Sequence, residues 1–408
     1  MQTAQLANIL QQSMPQGPQQ FLLELLLTYV AAKVVGEIFQ RLRVPGVLGE
    51  IIAGVIFGPY ALGWIHPTEI LHSIAEIGVI FVLFSAGLDT SPKDLIHIGR
   101  KALMVAIAGV VVPFVLGFLY MKLRGDGSTE AVFVGAAMVA TSVGITARVL
   151  AELNVLASRT AKIILGAAVF DDILGMLLLA IVEEMATQGR LGWVHLGVLT
   201  GEALVFVLFM ILIAPRVVRR IQPRVEKFST PNAPLILALA LCLLLSWLST
   251  RIGMAAIIGA FFAGLMFADF AEPWHLHSRV AGITEFLAPY FFFSIGSRLD
   301  LHFFNGNVLG AAIIISLLAI VSKVVGCGLP LLREGWGNVL RVGVGMMPRG
   351  EVALIVALVG LQSKIVTEST YAIVVFMTAL TTLLAPPLLR VLYRNEPKTP
   401  HPAERKAH

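Results

Sequence analysis

Thirteen stretches of this chain are long, mostly apolar and free of period-two alternation, and together they occupy most of residues 20–393. They run over residues 20–40, 46–60, 70–88, 98–121, 129–152, 158–184, 194–214, 232–250, 254–269, 277–297, 306–331, 336–361 and 369–393. A helix that crosses a bilayer needs about 20 mostly apolar residues. Strands would be shorter and would alternate. The chain is therefore expected to be an all-α polytopic membrane protein with about 13 transmembrane helices. The second and ninth segments are short and glycine-rich, so their ends are the least sharply marked. Only 13% of residues are charged, against roughly a quarter in soluble domains. That excludes a soluble globular enzyme, a disordered chain and a nucleic-acid-binding domain, because apolar segments separate the basic residues behind the net charge of +5. Cys242 and Cys327 lie in apolar runs and offer neither a disulfide framework nor a metal site. The histidines fall in loops, tails or helix ends, and His275 and His277 form an isolated pair. Residues 1–19 are a polar tail without the basic start of a secretory signal peptide; residues 394–408 form a second tail.

Basic residues orient the chain. With the N-terminus outside, Lys122, Arg124, Arg190, Arg251, Arg298 and Lys364 are the outer Lys and Arg, and 20 others fall on the cytoplasmic side. Lys33, Arg148, Lys323 and Arg349 lie within spans. This positive-inside bias predicts an outer N-terminus, and an odd number of crossings then leaves the C-terminus in the cytoplasm.

The sequence repeats. Leu48–Phe57 (LGEIIAGVIF) and Ile258–Phe267 (IGAFFAGLMF) share Gly, Ala, Gly and Phe at an offset of 210. Glu76 with Phe84-Ser85-Ala86-Gly87 matches Glu285 with Phe293-Ser294-Ile295-Gly296 at 209, and both runs reach a Leu-Asp pair, Leu88-Asp89 and Leu299-Asp300. Seven crossings separate the second segment from the ninth, so the copies run oppositely through the bilayer. Inverted repeats are a recurring plan of secondary transporters. Repeat one is expected over 20–187, a linker helix over 188–230 and repeat two over 231–393, with the substrate site between the halves.

Charges inside a bilayer are costly and mark function by default. Segment 6 carries Asp171-Asp172 in the middle of an apolar helix. Adjacent carboxylates are not both ionised without a cation beside them. Such a pair binds either a monovalent cation or protons, which is the physical basis of exchange. Segment 5 carries Thr141, Ser142, Gly144 and Thr146 at its centre, and segment 12 carries Gly345-Met-Met-Pro348-Arg349-Gly350-Glu351. Both read as interrupted helices, since unwound backbone is tolerated at that depth where it lines a cavity and Pro breaks a helix. Gly144 and Gly350, 206 apart, place the breaks in matching positions. Paired breaks of this kind point to a transporter's binding site. Arg349 and Glu351 are positioned to neutralise the facing helix ends. Lys323, too deep in segment 11 to reach water, is expected to pair with an aspartate of segment 6. Lys33 with Glu37 and Arg148 with Glu152 are spaced for simple i, i+4 pairs. Glu50, Glu76 and Glu285 are either structural or line a funnel.

With these motifs in order, the chain resembles the monovalent cation:proton antiporter-2 family over about residues 20–393. The matching residues are Ala140–Thr146, Phe170–Ile173, Lys323–Gly326 and Gly345–Leu354. The resemblance implies a homodimer with two crossed, discontinuous helices. It implies core helices (98–187 and 306–393) moving against dimer helices (20–97 and 231–305), with no cofactor. Asp172 resembles the essential cation and proton carboxylate, Asp171 its lysine-paired neighbour, and Thr141 and Ser142 the unwound crossing. The Asp-Asp pair with Lys323 fits the electrogenic branch. The expected function is exchange of Na+ (or Li+ or K+) for protons across a bacterial inner membrane, in pH homeostasis, without enzymatic activity. Some relatives continue into a cytosolic nucleotide-binding domain, which this chain is expected to lack. A sodium-coupled symporter or a channel of related fold is the alternative, although neither needs the Asp pair. An intramembrane aspartyl protease needs aspartates converging from separate helices, and these are adjacent on one.

Overall fold

The computed structural model describes residues 18–42, 44–66, 68–90, 92–187, 193–225, 227, 232–298 and 306–396. Among these residues there are sixteen α-helices and no strand. In chain order they are α1 (Pro18–Arg41), α2 (Gly46–Phe57), α3 (Glu69–Leu88), α4 (Pro92–Arg124), α5 (Ser128–Ala137), α6 (Val143–Glu152), α7 (Arg159–Thr187) and α8 (Trp193–Leu212). There follow α9 (Ala214–Val225), α10 (Ala233–Arg251), α11 (Ala256–Phe267), α12 (Leu276–Ser297), α13 (Gly306–Gly328), α14 (Trp336–Gly345), α15 (Glu351–Gln362) and α16 (Glu368–Leu392). Every apolar segment contains one helix or a pair, as an all-α reading requires. Most of both tails, Arg43, Arg190 and the Leu299-Asp300 pair lie outside the described residues.

Local chemistry sets several helix starts. Thr68 Oγ1 accepts from the Leu71 N–H at 3.3 Å, and Thr367 Oγ1 accepts from the Thr370 N–H at 3.2 Å. Glu69 and Glu368 follow in the first turns, where a carboxylate meets the positive end of the helix. Among the described residues, seven helices are long and apolar enough to cross a bilayer alone. α2 and α11 have 12 residues each, about 18 Å at 1.5 Å per residue, short of a hydrocarbon core of about 30 Å. Protein rather than lipid covers most of α11: all of Ile258–Phe267 is buried. Within the expected linker, α8 is followed by a separate helix, α9, which exposes Arg216, Arg219, Arg220 and Arg224 and buries Val218 and Val225.

The helices pack as two groups. α3 lies against α11 and α12, α2 against α1 and α12, and α10 against α11. In the other group α4 packs on α5, α7 and α13, and α13 on α14 and α16. The repeat explains the first group. A Cβ on Gly54 would strike the Phe293 carbonyl oxygen, and one on its counterpart Gly264 would strike that of Phe84. Likewise Gly296 faces the Ile51 carbonyl and Gly87 that of Phe261. The partners are themselves repeat mates, so one close helix crossing is built twice in opposite directions. Small residues allow such approach in membranes. We expect Gly264→Val to destabilise the purified protein by about 1–3 kcal/mol through overpacking. Gly282→Ala, on α12 with open space around it, is the neutral control. Equal thermal unfolding of the two variants would refute the close-crossing account.

Packing overrides one spacing rule. Lys33 does not pair with Glu37: its Nζ lies 3.7 Å from Glu50 Oε1 on α2, while Glu37 holds Arg41 at 2.8 Å.

Candidate functional site

Both helices are interrupted, but the first break covers residues 138–142, so Thr141 and Ser142 lie in it and Gly144 and Thr146 do not. α5 ends at Ala137 and α6 starts at Val143; α14 ends at Gly345 and α15 starts at Glu351. Both ends match at an offset of 208, not 206, so the counterpart of Gly350 is Ser142 rather than Gly144. The unwound stretches cross in contact. The Ser142 N–H donates to the Pro348 carbonyl at 2.8 Å. Thr141 Oγ1 donates to the Met346 carbonyl at 3.3 Å, and Thr146 Oγ1 to that of Gly345 at 2.7 Å. A Cβ on Gly350 would press on the Ser142 side chain. Each break leaves backbone groups without helical partners, and the other break supplies several of them.

Arg349 is fully buried at the crossing. Its guanidinium donates to the carbonyls of Met346 (3.4 Å), Met347 (3.1 Å) and Ala319 (3.4 Å). A cation at the C-terminal end of α14 offsets the negative pole of that helix. Thr382 Oγ1 donates to the Arg349 carbonyl at 2.6 Å and fastens the crossing to α16. Glu351 opens α15, and its side chain lies outside the described residues.

Behind the crossing, Lys323 Nζ donates to Asp171 Oδ1 at 3.1 Å, with both side chains buried. Asp171 Oδ2 is buried without a hydrogen-bond partner. Gly109 on α4 leaves the room that Lys323 and Cys327 occupy on α13. Asp172 is half-buried and lines, with Asp171, Thr141, Gly350 and Thr378, a cavity of about 510 Å³. Lys323, Arg349 and Ser142 do not line it: the lysine stands behind Asp171, and the other two belong to the crossing. The cavity runs from the aspartates to a polar rim of His72, Glu76 and Arg298. Arg298 Nη2 lies 2.9 Å from His72 Nδ1, and His72 Nε2 lies 3.3 Å from Glu76 Oε1. Glu76 thus lines the funnel, whereas Glu285 is exposed on α12.

Sequence reasoning missed Thr378, Thr382 and the His72–Arg298 rim. The threonines carried a signal, since Thr378, Thr381 and Thr382 share one face of an apolar helix. The rim carried none, because its residues lie 226 apart in sequence. His277 lies 3.8 Å from Asp89, and among the described residues no group of three or more His, Cys, Asp or Glu side chains is placed to hold a metal.

Residues 26–394 match the family model described as sodium/hydrogen exchanger, transmembrane. The chain belongs to the sodium/hydrogen exchanger family. It is 36% identical to the high-affinity Na+/H+ antiporter NhaS3 of Synechocystis, over 93% of this chain and 91% of that protein. It is 34% identical to a Na+/H+ antiporter of Enterococcus hirae, over 90% of this chain and 96% of that one. It is 32% identical to the Na+/H+-K+ antiporter GerN of Bacillus cereus, over 93% and 98%. The fold matches that of the sodium proton antiporter MjNhaP1 of Methanocaldococcus jannaschii, with a TM-score of 0.65 and 19% identity over 91% of this chain and 95% of that one. In this exchanger Thr141 and Gly350 of the two breaks line one cavity with the aspartate pair.

Proposed function

We propose that this exchanger moves sodium against protons by alternating access at Asp172, and that each cycle carries net charge. The observation that supports this most is the buried Lys323–Asp171 bond beside Asp172 at the inner end of the cavity. Asp172 and Asp171, with the Thr141 hydroxyl and unwound carbonyls, form a set of hard oxygens suited to a monovalent cation. With the cation gone, Asp172 takes a proton, and Asp171 keeps its charge through Lys323. When a cation binds, Asp171 turns toward it, and the lysine, losing its anionic partner in a dry site, gives up a proton. Two protons then exchange for one cation. Such transport responds to voltage at roughly 2.3 kcal/mol per charge per 100 mV. Arg349 balances the C-terminal end of α14, so that the site itself has charge to exchange.

The basic residues favour a cytoplasmic C-terminus and an outer N-terminus in a bacterial inner membrane. We assign α4–α7 and α13–α16 to a mobile core, α1–α3 and α10–α12 to a homodimer scaffold, α8 and α9 to the linker, and the physiological role to pH homeostasis. No cofactor enters this scheme. Potassium is the second cation to test, because a relative over nearly the full chain is named for both ions.

Proteoliposomes with an internal pH dye and imposed Na+, K+ or Li+ gradients test the reading. Apparent cation affinity should weaken as pH falls, because a protonated carboxyl no longer holds the ion. An affinity flat with pH would contradict a shared site. On a solid-supported membrane, a Na+ jump should give a transient current whose reversal matches two protons per cation. Electroneutral exchange would remove the lysine step and leave the antiporter. Cation flux with no coupled proton movement would favour a channel.

A further inference from the structure

The two repeats are alike in sequence and unlike in packing at one place. In repeat two, the start of α11 (Met254, Ala255, Ala256 and Ile257) is parted from Leu354 and Ile355 of α15 by the cavity. In repeat one, the matching end of α2 is joined to α6. The backbone N–H of Gly46, the counterpart of Ala256, donates to Glu152 Oε2 at 3.0 Å. Glu152 Oε1 in turn accepts from Arg148 Nε at 3.1 Å. α6 also packs on α3 beside this contact.

More charge sits behind it. Lys33 Nζ lies 3.7 Å from Glu50 Oε1. Glu50 is 3% exposed, and its Oε2 is buried without a hydrogen-bond partner. None of this chemistry recurs in repeat two. The counterparts of Arg148 and Glu152 are Val356 and Gly360, and that of Glu50 is Ala260. Because the repeats are inverted, the charged junction and the cavity lie toward opposite faces of the protein.

We propose that Glu152 and Arg148 are positioning residues for exchange: they latch α6 to the start of α2 and hold shut the face opposite the cavity. The carboxylate satisfies an N–H that the helix start leaves without an internal partner and sits at the positive pole of α2. The latch joins α6 of the assigned core to α2 of the scaffold, so opening that face requires it to part. The apolar counterpart opposite has no such tie. The molecule consequently rests with Asp172 open toward the cavity, and the two faces differ in how readily they open. The consequence for transport rests on the exchanger reading, but the conformational preference does not.

Deuterium uptake by the purified protein reads that preference without any ion movement, so its failure is separable from failure of the exchanger reading. Losing one helix cap shifts an equilibrium about fivefold. In Glu152→Ala, residues 46–52 should take up deuterium about fivefold faster, while residues 252–257 and 291–297 of the cavity wall slow. The swap Arg148→Glu with Glu152→Arg keeps the i, i+4 pair but places a pure donor against the Gly46 N–H, so it should behave like Glu152→Ala. Glu152→Gln, which keeps the shape and one acceptor, should fall between wild type and the swap. The latch is overturned if the swap or Glu152→Gln matches wild type while the pair alone carries stability. It is overturned equally if uptake rises at 46–52 with no change at the cavity wall, since that marks local fraying of α2.

Discussion

Asp172→Asn should reduce cation-driven proton movement in proteoliposomes to the level of empty vesicles, while the protein remains folded. Asp172 stands half-buried at the inner end of the cavity, beside the crossing of the two broken helices. Asn keeps its volume and hydrogen-bonding reach, so the stability cost should be about 1 kcal/mol or less. What it lacks is a titratable oxygen. Without that group the site holds neither the cation's counter-charge nor the proton that replaces it. Asp171 alone does not substitute, because Lys323 balances its charge in the empty site and it turns to the ion only beside an ionised Asp172. Robust coupled transport by a well-folded Asp172→Asn protein would move the exchange site elsewhere.

The second large effect is on stability. Lys323→Met removes the cation and leaves Asp171 fully buried, with Oδ2 already lacking a partner. Breaking a buried pair from one side costs about 3–5 kcal/mol, whereas replacing both members by groups of similar shape is often near neutral. The single variant should therefore unfold well below wild type in detergent. Asp171→Asn added to Lys323→Met should restore much of the loss, and the four proteins form a double-mutant cycle for the pair. A Lys323→Met protein as stable as wild type would mean that Asp171 takes a proton at no cost. The pair would then have no hold on the charge balance of the site. Lys323→Gln addresses the separate question of current: if it transports without net charge movement, the lysine is the second proton carrier.

How much of this was written in the sequence depended on whether the signal was local. The apolar runs fixed an all-helical membrane fold, because each run is its own evidence of length and depth. The Asp171-Asp172 pair, the Pro348 break and the buried Lys323 were legible for the same reason: a charge or a helix breaker in an apolar run needs no partner to look anomalous. The repeat was legible as a glycine pattern. Its cause was not, since each glycine answers to a carbonyl on a helix about 200 residues away. The 206 register was off by two because glycines were matched, whereas the structure matches helix ends.

Pairing between distant segments was beyond any local rule. Lys33 and Glu37 have suitable i, i+4 spacing, yet Lys33 turns to Glu50 on another helix. Arg148 and Glu152 have the same spacing and do pair, but the second oxygen of Glu152 is committed to the Gly46 backbone. The sequence by itself determined the solvent of this chain, its repeated plan and the charges that had to be buried. Only the tertiary structure decided which charge met which, where the cavity lay, and which face was tied shut. The physical reason is range: hydropathy and helix breaking act within a turn or two of chain, while ion pairs and close helix contacts act through space between segments whose separation in sequence carries no signal.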